Sequence, residues 1–196
     1  CIRDRLYGAT PILMNEWIDD VPAVIDALYP GEEGGHALAN ILFGDVSPSG
    51  KLPLTFPQKW EDSPVYGTYP GPRDSVFYTE GIFVGYRGFD KQNIKPLFPF
   101  GFGLSYTTFA FSDLQLDKKT VGPDDILTVN VTVTNTGQMK GDEVVQLYIS
   151  DRKASVEREV KALKGYKRIS LKPGESKTVS LNIDKPALAF YDVTSG

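Results

Sequence analysis

Residues 126–134 alternate between apolar and polar side chains without a break. Valines occupy one face and hydroxyl or amide groups the other: Val129, Val131 and Val133 against Thr128, Asn130, Thr132 and Thr134. Because successive side chains of a β-strand point to opposite faces, this pattern predicts a strand with one buried and one solvated face. A strand of this kind must pack on a second layer, so the segment predicts a layered sheet structure.

Four further short strand patterns surround this one, and turns rich in glycine and proline separate them. They cover residues 111–116, 144–150, 160–169 and 178–183. Regularly spaced short strands of this type predict an all-β, immunoglobulin-like sandwich. Composition changes within Thr107–Asp113, so we predict a first domain over residues 1–109 and a sandwich domain over residues 110–196. The sandwich would need one or two further strands to be complete.

The first domain is expected to belong to an α/β sandwich. A helix is predicted over residues 21–28, because apolar residues recur there at helical spacing. Asp20 suits the N-cap of this helix. A second helix is predicted from Gly34 to Gly44, and a short strand over residues 52–56. The first five residues are charged and show no periodicity, and Leu6 onward is predicted to form the end of a strand and a loop.

Residues 58–103 have neither helical nor strand periodicity, and proline, glycine and tyrosine are frequent among them. Irregular segments of this length are uncommon within compact domains, and those that occur usually carry function. Residues 78–89 are the part in which order is expected. We therefore predict that functional side chains lie in this loop.

The composition excludes several classes of function. The net charge of −4 argues against a nucleic-acid partner, and no apolar run is long enough for a membrane span. Cys1 is the single cysteine, so neither an internal disulfide nor a thiolate zinc site can form. His36, the single histidine, lacks partners at metal-ligand or triad spacing and is predicted to be a surface or half-buried residue of the second helix.

An ordered series of motifs runs through the chain: Pro30–Gly35, Pro48–Pro53, Tyr78–Ile82, Gly85–Arg87, Gly141–Tyr148 and Leu163–Tyr166. This series resembles the carboxy-terminal part of glycoside hydrolase family 3, the β-glucosidase family. The resemblance covers about residues 6–192. It implies the end of the family's α/β sandwich domain followed by its fibronectin type III-like domain, and hence a fragment of a longer enzyme.

The resemblance implies retaining, exo-acting hydrolysis of β-linked glucosides, without a cofactor or metal. In the family an Asp of a preceding (β/α)8 barrel is the nucleophile, and the acid/base is commonly a Glu upstream of the Pro30–Gly35 motif. Neither motif is found here, so no catalytic residue is assigned and the isolated chain is predicted to be inactive. The expected partners are a β-glucoside and the barrel domain. A homodimer and a periplasmic or secreted location are compatible with the family.

Tyr78, Glu80 and Arg87 are the predicted substrate-binding residues, at the rim of the active site. An aromatic ring can stack on the apolar face of a sugar, while Glu and Arg can form charge-assisted hydrogen bonds to hydroxyl groups. The alternative is an Arg87–Glu80 ion pair that braces the loop, with the tyrosines packed beneath it.

Other polar and aromatic candidates have simpler explanations. Glu32 and Glu33 could form a wall of a sugar pocket or supply a general acid, but acids are also favoured at the start of a helix. Trp17 and Trp60 could be sugar platforms or packing residues.

The rival function is that of a carbohydrate-binding or structural β-sandwich module without hydrolase activity, since the fold alone does not fix the function. The long tyrosine-rich loop and the Pro30–Gly35 helix start favour the hydrolase, because a free module would need neither.

Overall fold

The computed structural model describes residues 3–6, 8, 10–69, 71 and 75–191. The chain forms two compact units that interleave along the sequence. The first unit comprises Cys1–Val46, Gly50–Gly103 and Ser150–Ala162, and the second comprises Ser47–Ser49, Leu104–Ile149 and Leu163–Gly196. Helices and a small sheet make up the first unit, and antiparallel strands dominate the second, so the predicted α/β part followed by a β-sandwich is confirmed.

The first unit begins with two parallel strands. Strand β1 (Arg3–Leu6) pairs with β2 (Ala23–Asp26) from Arg3 opposite Ala23 to Leu6 opposite Asp26. The helix predicted over residues 21–28 is therefore wrong, whereas Leu6 is the end of a strand, as predicted. Residues 24 and 25 are the β-branched Val and Ile, which favour a strand. Pairing with β1 then satisfies backbone groups that a helix would have satisfied internally.

Helix α1 (Gly34–Phe43) confirms the second predicted helix. Gly44 ends it in the left-handed conformation with φ of 84°, and its N–H donates to the Ile41 carbonyl at 3.1 Å. This is the conformation for which glycine carries the smallest steric penalty. Leu38 is the buried apolar side chain of this helix, at 7% exposure.

Two segments of the first unit, residues 50–58 and 95–103, lie side by side; we call them the closing segments. Backbone hydrogen bonds join them from Leu52 N to Phe102 O (2.7 Å), Gly101 N to Leu52 O (2.8 Å), Phe56 N to Phe98 O (2.9 Å) and Leu97 N to Phe56 O (2.9 Å). The predicted strand over residues 52–56 is reduced to a single bridge between Phe56 and Phe98. Pro53 and Pro57 have no N–H to contribute to a longer ladder.

Aromatic packing reinforces the closing segments. The Phe56 ring meets Phe98 edge-on, with centroids 6.5 Å apart, and Phe98 stacks on Phe102 at 5.2 Å. Phe56 is only 1% exposed, which makes it one of the most deeply buried side chains of the described residues. The long loop is thereby anchored at both ends to one small aromatic core.

The second unit contains five strands in two sheets, and each predicted strand is confirmed. They are β3 (Phe109–Leu116), β4 (Leu127–Asn135), β5 (Gly141–Ile149), β6 (Ala162–Leu171) and β7 (Ser176–Ile183), followed by the short helix α3 (Lys185–Leu188). One sheet has the order β3-β4-β7 and is antiparallel, and the other has the order β5-β6. The buried cluster consists of Val133, Val145, Leu171 and Val179.

The alternation in β4 divides its side chains as predicted. Val129 and Val133 are buried, at 5% and 0% exposure. The opposite face carries hydroxyl and amide groups that bond to those of β7, in the pairs Thr132–Thr178, Thr134–Ser176 and Asn130–Ser180. The apolar face is therefore the one that this unit buries.

Asn135, at the end of β4, is a fully buried polar hub with 0% exposure. Its Oδ1 accepts from Thr107 Oγ1 at 2.6 Å and from the Gly137 N–H at 3.1 Å. Its Nδ2 donates to the carbonyls of Met139 at 2.9 Å and Leu171 at 3.1 Å. One side chain thus forms hydrogen bonds with backbone groups in the turn after β4 and at the end of β6.

Replacing Asn135 with Ala should destabilise the second unit by about 2–4 kcal/mol, because buried donors and acceptors lose their partners. Ser180→Ala, which removes an exposed hydrogen bond, should cost less than about 1 kcal/mol. Urea denaturation followed by far-UV circular dichroism measures both values. Equal costs for the two variants would contradict the role of Asn135 as a hub.

Gly103→Ala should destabilise the first unit by about 1–3 kcal/mol, because steric overlap forces the backbone to shift. A Cβ at Gly103 would lie 2.1 Å from the Gly50 carbonyl oxygen. Gly50→Ala is the matched control, since nothing lies within 4 Å of its added Cβ. Trp17 and Trp60, the two tryptophans of the chain, both belong to this unit, so fluorescence during urea denaturation reports its stability. A Gly103 variant as stable as the Gly50 variant would show that the closing segments are not packed this tightly.

Candidate functional site

The closing segments hold the ends of the loop that carries the predicted site residues. Lys51 strengthens this closure by donating from Nζ to the Gly103 carbonyl at 2.9 Å. Gln58 Nε2 donates to the Lys95 carbonyl at 3.1 Å at the other end of the pairing. The loop between residues 58 and 95 therefore begins and ends at fixed positions.

Helix α2 (Tyr86–Gln92) is the main ordered element of this loop. Gly85 precedes it with φ of 57°, and Asn93 ends it in the left-handed conformation. Gly88, in the middle of the helix, is buried. The packing around it is so close that an added Cβ would lie 2.6 Å from both the Phe83 carbonyl oxygen and Pro64 Cγ. The helix thus packs directly onto the loop that leads into it.

The predicted residues Tyr78 and Glu80 belong to one tight turn ahead of this helix. The Gly81 N–H donates to the Tyr78 carbonyl at 3.2 Å, and the Phe83 N–H donates to the Glu80 carbonyl at 3.0 Å. The Tyr78 side chain is 81% exposed, so its ring is available to a ligand. Packing of this tyrosine beneath the loop, the alternative considered above, is not observed.

Arg87 lies in the first turn of α2, with Cζ 5.8 Å from the centroid of the Tyr86 ring. Tyr86 in turn stacks on Phe100 of a closing segment, with centroids 5.0 Å apart and an interplanar angle of 28°. The arginine is therefore supported by aromatic packing that leads back to the loop closure. Within the described residues, Arg87 and Glu80 do not form the ion pair that the bracing alternative requires.

Buried polar atoms without a hydrogen-bond partner are concentrated in this part of the described chain. They include Glu80 Oε2, Arg87 Nε and Asp90 Oδ2, with Thr55 Oγ1 as the remaining one. Asp90 Oδ2 lies 3.3 Å from Lys161 Nζ, at ion-pair distance, so Glu80 and Arg87 remain as the unmatched charged groups. Buried groups of this kind are costly, and they require an explanation such as a functional role. Glu80 Oε2 is a hydrogen-bond acceptor, and Arg87 Nε–H is a donor.

The sequence analysis missed a set of charged residues that pack around α2. Residues 152–168 carry both charge signs, a pattern typical of a solvated edge, and residues 152–157 are largely exposed, but residues 157–161 also contact α2. Glu157 and Lys161 form ion pairs with Lys91 and Asp90 of α2. Arg158 and Glu159 are 14% and 11% exposed and contact each other, with Nε 3.4 Å from Oε2. The available signal was the placement of charges at every second residue, 157, 159 and 161.

Among these charged residues, Glu159 has a carboxyl whose pKa is shifted. Burial acts to raise its pKa, but its own backbone N–H and the charges of Arg158 and Arg87 outweigh that effect and hold the pKa below the ordinary value. The charged form of the Glu159 carboxyl is thus favoured although its side chain is only 11% exposed.

The remaining candidates lie outside this arrangement. His36 is an exposed residue of α1, as predicted, with its Nδ1 bonded to the Glu33 carboxylate. Glu32 and Glu33 are exposed. Trp17 is half-buried, and Trp60 packs edge-on against Tyr66 with centroids 6.2 Å apart. These positions fit helix-start and packing functions.

A membrane-spanning helix and a metal-binding cluster are both missing from the described part of the chain. None of the helices there combines the length and apolarity that a membrane crossing requires. No group of three or more His, Cys, Asp or Glu side chains among those residues is arranged to hold a metal ion.

Comparisons with known proteins give a consistent result. The model of the glycosyl hydrolase family 3 C-terminal domain matches residues 6–106, and that of a fibronectin type III-like domain matches residues 143–196. A thermostable β-glucosidase B of Acetivibrio thermocellus is 51% identical over 187 residues, which is 95% of this chain and 25% of the relative. The chain thus spans about a quarter of the length of the curated relatives that it matches.

Solved structures of β-glucosidases also match this chain. A β-glucosidase of Bifidobacterium adolescentis matches with a TM-score of 0.90 and 38% identity, over 98% of this chain and 28% of its own. DesR, a β-glucosidase of Streptomyces venezuelae solved with D-glucose, matches with a TM-score of 0.88 and 43% identity, over 97% of this chain and 25% of its own.

Proposed function

This chain belongs to glycoside hydrolase family 3 and corresponds to the C-terminal region of its β-glucosidases; from this premise we propose that it forms the rim of the substrate site in a retaining, exo-acting β-glucosidase. The nucleophilic Asp and the acid/base Glu are supplied by polypeptide outside these residues. The names of the relatives and the absence of both catalytic motifs from the sequence support this division.

The proposed reaction uses two carboxyl groups about 5 Å apart. One attacks the anomeric carbon and forms a glycosyl-enzyme, while the other protonates the departing oxygen and then deprotonates the attacking water. The residues of this chain bind and orient the sugar. The reaction requires no cofactor.

The observation that carries the proposal is the combination of an exposed Tyr78 with the unmatched buried atoms of Glu80 and Arg87. Glu80 Oε2 can accept a hydrogen bond from a sugar hydroxyl, and Arg87 Nε–H can donate one. The ring of Tyr78 can cover the apolar face of the same pyranose. Charged partners make such hydrogen bonds stronger than neutral ones.

A chimera tests the proposal. The matching 187-residue region of the Acetivibrio thermocellus β-glucosidase B is replaced by this chain, and hydrolysis of an aryl β-glucoside is measured. We expect the chimera to be active. Glu80→Gln or Arg87→Lys should lower kcat/KM by about 10- to 100-fold, the equivalent of one lost charged hydrogen bond.

Asp124→Asn in the same chimera is the control, because Asp124 is 91% exposed and lies in the second unit, and it should leave kcat/KM within about twofold of the chimera. The isolated chain should give no turnover. An active chimera that tolerates both Glu80→Gln and Arg87→Lys would contradict the proposed rim. Turnover by the isolated chain, abolished by replacing one of its own acids, would contradict the division of catalytic labour.

A further inference from the structure

Phe83 ends the turn that carries Tyr78 and Glu80. Its backbone N–H donates to the Glu80 carbonyl at 3.0 Å, which ties it to the turn. Its side chain is half-buried, whereas the side chains of its neighbours Ile82 and Val84 are exposed. Phe83 is therefore the apolar side chain that the end of this turn withdraws from solvent.

Helix α2 contacts Phe83 at two positions. A Cβ on Gly88 would lie 2.6 Å from the Phe83 carbonyl oxygen, so the two backbones approach closely there. Lys91 Nζ lies over the Phe83 ring, 3.8 Å from its centroid. Gly88 and Lys91 are three positions apart, and residues at this spacing are neighbours on one side of a helix. The same side of α2 therefore contacts both the backbone and the ring of Phe83.

The contact between Lys91 and Phe83 is a close cation–π interaction. The ring face attracts cations out to about 6 Å from its centroid, and the Lys91 ammonium lies well within that range. Lys91 also forms an ion pair with Glu157, at 2.5 Å, but the two side chains are 41% and 69% exposed. An exposed ion pair stabilises little, so the ring is the contact through which Lys91 acts on the turn.

We infer that Lys91 is a positioning residue for the substrate rim: by lying over the Phe83 ring, its ammonium holds the turn that carries Glu80 against the helix that carries Arg87. The backbone contact at Gly88 alone would allow the turn to pivot, and the second contact at Lys91 removes that freedom. The substrate consequence rests on the proposed function, whereas the packing of the turn on α2 does not.

NMR of the 196-residue chain tests the contact itself. The Hε protons of Lys91 adjoin Nζ and lie near the face of the Phe83 ring, so the ring current should move their signals upfield. Phe83→Leu keeps an apolar side chain but removes the ring, and it should return these signals to the positions of an exposed lysine. Glu157→Gln removes the ion pair but not the ring, and it should leave the upfield signals in place.

Hydrogen exchange of the Gly81 and Phe83 amides, which both donate within the turn, tests the positioning. Lys91→Gln should accelerate their exchange by about three- to fivefold, the equivalent of one exposed cation–π contact, because the turn opens more readily. Lys91→Arg keeps a cation and should restore the protection. Lys95→Gln, at an exposed lysine of the same loop, is the matched control and should leave both rates within about twofold. The Phe56 amide should exchange equally in the two glutamine variants, which separates positioning from general stability.

The β-glucosidase chimera connects this contact to the substrate. There Lys91→Gln should lower kcat/KM by about three- to fivefold and Lys91→Arg should restore it, while Lys95→Gln stays within about twofold.

Three results would each overturn the inference: Lys91 Hε signals that do not depend on the Phe83 ring, equal exchange of the turn amides in Lys91→Gln and Lys95→Gln, or an active chimera that tolerates both variants equally. An inactive chimera would count against the proposed function alone. The two NMR experiments involve no sugar, so they would still decide whether Lys91 holds the turn.

Discussion

The pairing of the two closing segments is the constraint on which the candidate site depends. Everything between residues 58 and 95, including Tyr78, Glu80 and Arg87, is held at its ends by backbone hydrogen bonds and stacked phenylalanines. The entropy cost of closing a loop grows only slowly with its length, by about 0.6 kcal/mol for each doubling. A small, well-packed closure can therefore hold a long irregular loop.

The closure also joins one of the sequence motifs to a second glycine-rich stretch of the chain. The motif that ends in Gly50–Pro53 and the glycine-rich stretch around residues 100–103 contact each other directly, through Leu52 and through the approach of Gly103 to the Gly50 carbonyl. Tyr86 then connects the closure to the site by stacking on Phe100 while lying next to Arg87. The side chains proposed to bind substrate are thus positioned by residues that never touch it, an arrangement that favours precise placement.

The sequence predicted local patterns well and distant partners poorly. The strands of the sandwich could be predicted because a period of two with glycine and proline turns is a local signal. Residues 21–28 were assigned wrongly because a short apolar run fits either a helix or a strand, and pairing with β1 decided the outcome. The charges of residues 157–161 looked solvated because their partners on α2 lie far away in sequence. Tyr78, Glu80 and Arg87 could be singled out by residue type within the loop, but their role as substrate ligands stays a prediction.

Hydrogen exchange of the closing segments tests the account most directly. The amides of Leu52, Phe56, Leu97 and Gly101 are the donors that join them. We predict that these four amides are protected as one cooperative unit, about a hundredfold or more above exposed turn amides of the same loop. Exchange of Leu52 and Gly101 at the rate of open turns, independently of Phe56, would show that the two motifs are not held together, and the positioning of the candidate site would lose its basis.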